Sequence, residues 1–563
     1  MNLLAPHVPR WPKGEPVVEL RGVHKRFGDL HLLRGVDLTV HAGETFVIAG
    51  ESGSGKSVLL KMMNGLVTPD EGEVLLFGQP LAALSEAERT LLRRRCTMVF
   101  QSYALIDSMT VAENISFPLA QGSDLPQREV GRLVDDLLTL LELPGTGGLL
   151  PASLSGGMRK RVALARAVIS NPEVVLFDEP TTGLDPVMIE FVDALIAKTQ
   201  RLYGITSVLV SHDMTSNRRL ADRMGVLSEG VMAEVGSFDD VARSAHPAVR
   251  AFMSSAVTER MREGGAPRPE GAGEGAAEGA ADDSAEGAGE GTSALAALSA
   301  EDLPADLTPP PAVSPALAHL PSAARCVGLH KRFGEREVLK GITLSIPQRK
   351  ITVIIGGSGS GKSVLVKHII GLLAPTRGEV EVLGRDLTRA DPEAVRATQR
   401  EVGVLFQGAA LFDSMTVGEN ISFPLVEGRR VPRREARARA AEIAERLSVG
   451  HLLRRYPDEI SNGERKRVGL ARALVTRPRI MIYDEPTTGQ DPIMMRRVDD
   501  MIVEAAELFD MTSIVISHDM SSTFRVADQV VMVYQGELLA CGTPDEVRSS
   551  RDPRVRRFIY AGG

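Results

Sequence analysis

A chain of 563 residues, 43% hydrophobic and 25% charged, has the balance of a globular protein with room for several domains. Its net charge of −8 is concentrated between Glu270 and Asp302, which hold nine acidic residues and no basic ones; without them the remainder carries +1, too little for a basic nucleic-acid surface. No apolar run approaches the ~18 residues that cross a bilayer, and Cys96, Cys326 and Cys541 are too scattered for a zinc site or disulfide framework.

In chain order, residues 1–16 form a tail with prolines, Arg10 and Trp11 where an export signal would need an apolar stretch, so a cytoplasmic protein is expected. Residues 17–257 read as a first domain. Within it 45–49 (Thr-Phe-Val-Ile-Ala) reads as a buried strand, a glycine-rich loop follows, and a helix begins at Lys56; 174–177 and 207–210 read as further core strands. Residues 258–323 are rich in Gly, Ala, Glu and Pro and poor in bulky apolar residues, which predicts a disordered linker spanning roughly 45 Å, enough for its two neighbours to pack face to face.

Residues 324–563 repeat the first domain at an offset of 306. His24-Lys25-Arg26-Phe27-Gly28 returns as His330-Lys331-Arg332-Phe333-Gly334, Pro247 returns as Pro553, and strands are expected at 351–355, 480–483 and 513–516. Constant spacing over more than 200 residues marks a duplication. Strands alternating with helices predict, in each copy, an α/β fold with a mainly parallel sheet. Copy two alone has an arginine-rich stretch (Arg429, Arg430, Arg433, Arg434, Arg437, Arg439), which reads as a solvated helix face.

Gly50, Ser52, Gly53, Ser54, Gly55, Lys56 and Ser57 fit the GxxxxGK[ST] phosphate loop, as do Gly356, Ser358, Gly359, Ser360, Gly361, Lys362 and Ser363. Such a loop wraps backbone N–H groups around phosphates at a helix start. Lys56 and Lys362 would reach the β- and γ-phosphates of ATP, with Ser57 and Ser363 on Mg²⁺. Asp178 and Asp484 end apolar strands, where a Mg²⁺-directed carboxylate belongs, and the adjacent Glu179 and Glu485 are placed to orient or deprotonate water.

Leu154-Ser155-Gly156-Gly157-Met158 resembles the signature of the ABC transporter ATPases. Gln101 and Gln407 match that family's Q-loop, Gly183-Leu184-Asp185 and Gly489-Gln490-Asp491 its D-loop, and His212 and His518 its switch histidine. Phe27 and Phe333 match the aromatic that stacks on adenine. The resemblance implies two tandem domains, each with an antiparallel β lobe and an α-helical lobe beside the parallel core, paired head to tail within one chain. It implies that Gln101 and Gln407 reach Mg²⁺ and the attacking water. Site one would join Lys56, Gln101, Asp178, Glu179 and His212 to Ser461 and Gly463 of copy two. Site two would join Lys362, Gln407, Asp484, Glu485 and His518 to Ser155, Gly156 and Gly157. Copy two departs from the signature with Asn462 and Glu464, whose carboxylate would oppose the γ-phosphate, so unequal sites are expected.

The segment from Val404 to Leu425, with Gln407, Phe412-Asp413-Ser414-Met415 and Glu419-Asn420, is similar to ATPase subunits of Mla-type (maintenance of lipid asymmetry) and MCE-associated lipid transporters. That likeness implies a peripheral protein on the inner face of the cell membrane, held by an integral membrane permease, and energising lipid transport. A tandem ATPase of a small-solute, sugar-type importer is the alternative. A soluble non-transport ABC protein would call for a basic helical linker, a long coiled coil or zinc cysteines.

Overall fold

The computed structural model describes residues 11–28, 30–101, 103–120, 125–256, 309–406 and 409–561. The acidic part of the expected linker and Gln407 lie outside the described residues.

The described residues of copy one form ten strands: β1 (Pro16–Phe27), β2 (Leu30–His41), β3 (Thr45–Gly50), β4 (Glu71–Leu76), β5 (Gln79–Pro80), β6 (Cys96–Val99), β7 (Val174–Asp178), β8 (Thr206–Val210), β9 (Arg223–Ser228) and β10 (Val231–Gly236). A six-stranded sheet runs β10-β9-β3-β8-β7-β6 and a four-stranded sheet β2-β1-β4-β5. In the larger sheet β9, β3, β8, β7 and β6 are parallel, and β10 adds an antiparallel edge. The smaller sheet is antiparallel. Copy two repeats both sheets, with the core strands Ile351–Ile355, Ile480–Asp484 and Thr512–Ile516.

Every residue of β3 is buried, as a strand covered on both faces requires. Side-chain alternation divides it between two cores. Val47 and Ala49 face the helical side, with Val175 and Phe177 of β7. Phe46 and Ile48 face the antiparallel sheet and the helix Lys56–Met63, with Val174 and Leu176. Each large apolar side chain removed from water in this way contributes ~1.5–3 kcal/mol. The helices Val111–Ala120, Gln127–Leu140 and Gly156–Val168 build the helical lobe.

Two expected boundaries shift. Residues 309–323, expected to belong to a loose linker, include structure packed on copy two. The backbone N–H of buried Ser314 donates to Gln529 Oε1 at 2.9 Å, and its hydroxyl to Glu546 Oε2 at 2.9 Å. The first strand of copy two starts at Ser322. The composition of this stretch predicts a loose linker, yet the polar groups of Ser314 find partners across the chain. The end of the N-terminal tail is also seated: Trp11 meets Phe77 edge-on at 5.7 Å and donates Nε1–H to the Pro16 carbonyl at 3.1 Å.

The copies brace one another at their ends. The helix Pro247–Ala256 packs on Pro492–Leu508, where Arg496 Nη2 donates to the Ser254 carbonyl at 2.8 Å. The helix Pro553–Ala561 packs on Pro186–Tyr203, whose Val187 enters the core of copy two. No helix among the described residues is long and apolar enough to cross a membrane.

Candidate active site

Each phosphate loop leaves a buried central strand and enters a helix. Gly50 has φ 142°, and a Cβ there would lie 2.2 Å from the Leu227 carbonyl oxygen, so only glycine fits against β9. The loop curls over its own lysine. Buried Lys56 donates from Nζ to the carbonyls of Gly50 at 2.9 Å and Glu51 at 2.7 Å. Lys362 does the same with Gly356 at 2.6 Å and Gly357 at 2.9 Å. Burial pulls the Lys56 ammonium down to about 8 and moves Lys362 the same way, against the attraction of nearby carboxylates. The buried hydroxyls of Ser54 and Ser360 have no hydrogen-bond partner among the described residues, and a phosphate oxygen would satisfy them.

The Ser57 hydroxyl donates to Asp178 Oδ1 at 2.8 Å, joining two hard oxygen ligands suited to Mg²⁺. Burial and the neighbouring Glu179 charge raise Asp178 against that hydrogen bond, and burial with Glu485 raises Asp484. Divalent charge at these carboxylates would relieve their desolvation, so the residues fit the ion.

Glu179 and Glu485 stand in left-handed backbone, at φ 52° and 49°, just past their strands. Glu179 is held from three directions: His212 Nε2 lies 2.9 Å from Oε1, and Gln101 Nε2 and Thr182 Oγ1 donate to Oε2 at 2.9 Å each. Burial works to raise its carboxyl; the contacts with His212 and Thr182 and the Lys56 charge outweigh it and hold the group below the usual range. Glu485 is held more loosely, 3.5 Å from His518 Nδ1 and 3.3 Å from Thr488 Oγ1. Its carboxyl is also net lowered, His518 and Lys362 outweighing burial.

The copies interlock at these loops. Asp491 Oδ2 accepts the N–H of Ser52 at 2.8 Å, and Asp185 Oδ2 accepts that of Ser358 at 2.9 Å. Each phosphate loop therefore meets the other copy's D-loop, a head-to-tail arrangement. Among the described residues neither signature serine hydrogen-bonds to the opposite phosphate loop.

Ser155 and Ser461 cap the helices Gly156–Val168 and Asn462–Leu474. The copies differ here, as the Ser-x-x-Glu spacing of copy two could have signalled. Glu464, expected to oppose the γ-phosphate, closes a capping box: its Oε2 accepts both the N–H and the hydroxyl of Ser461 at 2.8 Å. Those contacts hold its carboxyl below the usual range. Ser155 only accepts, from Met158 N–H at 3.3 Å, and keeps its hydroxyl proton.

Phe27 and Phe333 are 50% and 47% exposed at strand ends, outside either core, with Lys25 and Lys331 ammonium groups 5.5 and 5.2 Å from their ring centres. Sequence reasoning did not single out Thr182, Thr488 or the buried lysines Lys160 and Lys466. The threonines sit within the Asp-Glu-Pro-Thr-Thr-Gly run, whereas a lysine in a helix gives no sign of burial.

Glu113 and Glu419 complete capping boxes or their equivalent hydrogen bonds at Thr110 and Thr416. Buried Asn114 and Asn420 clamp the loops before them: Asn420 accepts from Phe412 N–H and donates to the carbonyls of Phe412, Met415 and Thr416. The stretch from Phe412 to Asn420 and its counterpart in copy one therefore have a folding role.

Paired phosphate loops, strand-end Asp-Glu pairs and reciprocal D-loop contacts define a tandem nucleotide hydrolase with two composite sites. The family model described as ABC transporter matches residues 33–182 and again 339–488. The chain belongs to the ABC transporter family and is an ATP-binding, ATP-hydrolysing subunit. It is 28% identical over 577 residues to an uncharacterized ABC transporter ATP-binding protein of Methanocaldococcus jannaschii, covering 94% of this chain and 96% of that one. It is 29% identical over 602 residues to the oligopeptide transport ATP-binding protein of Mycobacterium tuberculosis, covering 97% of each. The methionine import ATP-binding protein of Cupriavidus necator is 38% identical over 250 residues, covering 44% of this chain and 72% of that one.

Proposed function

We propose that this chain energises an ABC importer of a small organic solute by hydrolysing Mg-ATP between its two copies. The observation that carries the solute class is the end-to-end alignment with a relative named for oligopeptide transport, 97% of each chain. In this reading the phosphate loops with Lys56 and Lys362 hold the phosphates, and Ser57, Asp178, Ser363 and Asp484, with Gln101 and Gln407, hold Mg²⁺. Glu179 and Glu485 orient water under His212 and His518. Bound Mg²⁺ would neutralise phosphate charge. Site two, completed by Ser155, Gly156 and Gly157, is the faster one; site one, completed by Ser461 and Gly463, is the slower. The domains are 17–257 and 324–563, with 309–323 attached to the second.

An integral membrane permease is the partner, and through it the chain sits on the inner face of the cell membrane. A groove of about 770 Å³ on copy two, lined by Phe406, Phe412, Phe423, Arg400 and Arg429, offers it a docking place. Its aromatics belong to the segment similar to lipid-transport subunits, which keeps lipid transport as the second reading.

Purification of the full chain from membranes with its permease tests both. Stimulation of ATPase activity by peptides or amino acids in reconstituted vesicles supports the first reading. Stimulation by phospholipid or its bound carrier, with none by solutes, replaces it with the second.

A further inference from the structure

We propose that Lys160 is a positioning residue that ties the signature helix of copy one to both ATP sites through the backbone carbonyl of Thr182. The proposal rests on the water-orienting role given to Glu179 for its effect at site one only.

Lys160 lies in the first turns of the helix Gly156–Val168 and is 7% exposed. Its Nζ donates to the Thr182 carbonyl at 2.5 Å. Burying an ammonium is costly, and a methionine of similar length would fill the space without that penalty. What the charge finds is specific. A small cavity beside it is lined by Gln101, Tyr103 and Glu179, and its Nζ is 5.8 Å from the Tyr103 ring centre. Burial pulls the group down to about 7, with the Glu179 charge opposing.

Thr182 is a junction. Its hydroxyl donates to Glu179 Oε2 at 2.9 Å, in site one. Gly183 follows in left-handed backbone, φ 77°, and two residues later Asp185 accepts the N–H of Ser358, in the phosphate loop of site two. Fixing the Thr182 carbonyl therefore fixes the turn from which both contacts depart. The helix that supplies Ser155, Gly156 and Gly157 to site two thus bears on Glu179 of site one through one hydrogen bond. Copy two lacks this arrangement. Lys466 donates to the Pro486 carbonyl, two residues before Thr488, and Thr488 holds Glu485 at the longer distance of 3.3 Å. The two lysines therefore contribute unequally.

Steady-state ATPase kinetics of the full chain test this. Lys160→Met should lower kcat ~10-fold and leave the KM for ATP within about twofold, the pattern of a misplaced catalytic group, while Lys160→Arg recovers turnover to within about threefold. Lys466→Met should cost less than about threefold, and in a Glu179→Gln background Lys160→Met should still lower the residual turnover about threefold or more. That last comparison reads site two, so it stands even where Glu179→Gln alone shows Glu179 to be dispensable. Thermal melting identifies variants that fail to fold; for them Lys160→Leu, a shorter apolar side chain that also removes the ammonium, should lower kcat at constant KM. Parent-like turnover in folded Lys160→Met or Lys160→Leu, or an arginine variant no better than the methionine one, overturns the proposal. So do equal losses from the two lysine variants, or a double variant equal to Glu179→Gln alone.

Discussion

Glu179 and Glu485 are each fixed by a strand end, a left-handed backbone and a histidine, and their surroundings still differ in what the opposite copy brings. In the proposed pairing site two would receive Ser155 with a hydroxyl proton to give, whereas the Ser461 hydroxyl is already donated to Glu464. Preorganised donors count most in the transition state, so nucleotide should bind at both sites and be hydrolysed mainly at site two. Glu485→Gln should lower turnover on the order of 10²-fold, with a much smaller loss for Glu179→Gln. Asn462→Gly with Glu464→Met should narrow the gap; a larger loss at Glu179, measured under identical conditions, refutes the asymmetry. A second prediction concerns Lys56. Its pKa falls from the ordinary lysine value to about 8 on folding, so the unfolded chain binds more protons above that pH, and the empty protein gains stability as pH rises from about 8 to about 10.5. Phosphate binding needs the ammonium and works in the opposite sense. Affinity for ATP should fall as pH rises past about 8, by up to ~10-fold per unit at a site. Calorimetric titration at pH 7, 8 and 9 should show that trend with proton uptake at the upper end, and Lys56→Arg should flatten it.

At the scale of elements, buried side chains that hold loops matter as much as apolar packing. Asn420 spends both ends of its amide on the loop from Phe412 to Thr416, beside the groove proposed for the permease. Asn420→Ala would leave the half-buried Phe412 N–H and three carbonyls short of a partner, costing ~1–3 kcal/mol. Its unfolding midpoint in urea should fall accordingly, and permease-stimulated ATPase activity should fall further than the basal rate. A basal rate and midpoint equal to the parent's would show that water replaces the amide. Elements of this kind divide what could be read in advance from what could not. The core strands lay within a residue of their expected bounds, because continuous apolar runs bounded by Gly or Asp-Glu admit little else. Phosphate loops and strand-end Asp-Glu pairs could be placed for a similar reason, as short contiguous runs at the ends of apolar strands. The burial of Lys160 and the seating of Ser314 could not. Each depends on a partner 22 or 215 residues away whose approach only the folded chain decides.

Across the whole molecule, the copies touch through reciprocal Asp185–Ser358 and Asp491–Ser52 bonds and through the crossed end helices. These are contacts between folded surfaces, and a covalent connection adds to them only by raising the concentration of one copy around the other. The segment between Ala256 and Pro309 carries no motif, and from Glu270 onward its charge is one-signed, a composition that fits a tether. Deleting residues 271–291 would leave about thirty residues between the fixed ends, with a reach of ~100 Å when extended. Effective concentration changes slowly with length once a linker can span its sites. The shortened chain should therefore keep ATPase activity within about twofold of the parent, at unchanged KM. Cutting at a protease site placed within 271–291 sharpens the test: if the surface contacts suffice, the two halves remain together on a sizing column at micromolar concentration. A large loss of turnover in the shortened chain, with both copies still melting as in the parent, would show instead that the acidic residues bear directly on catalysis.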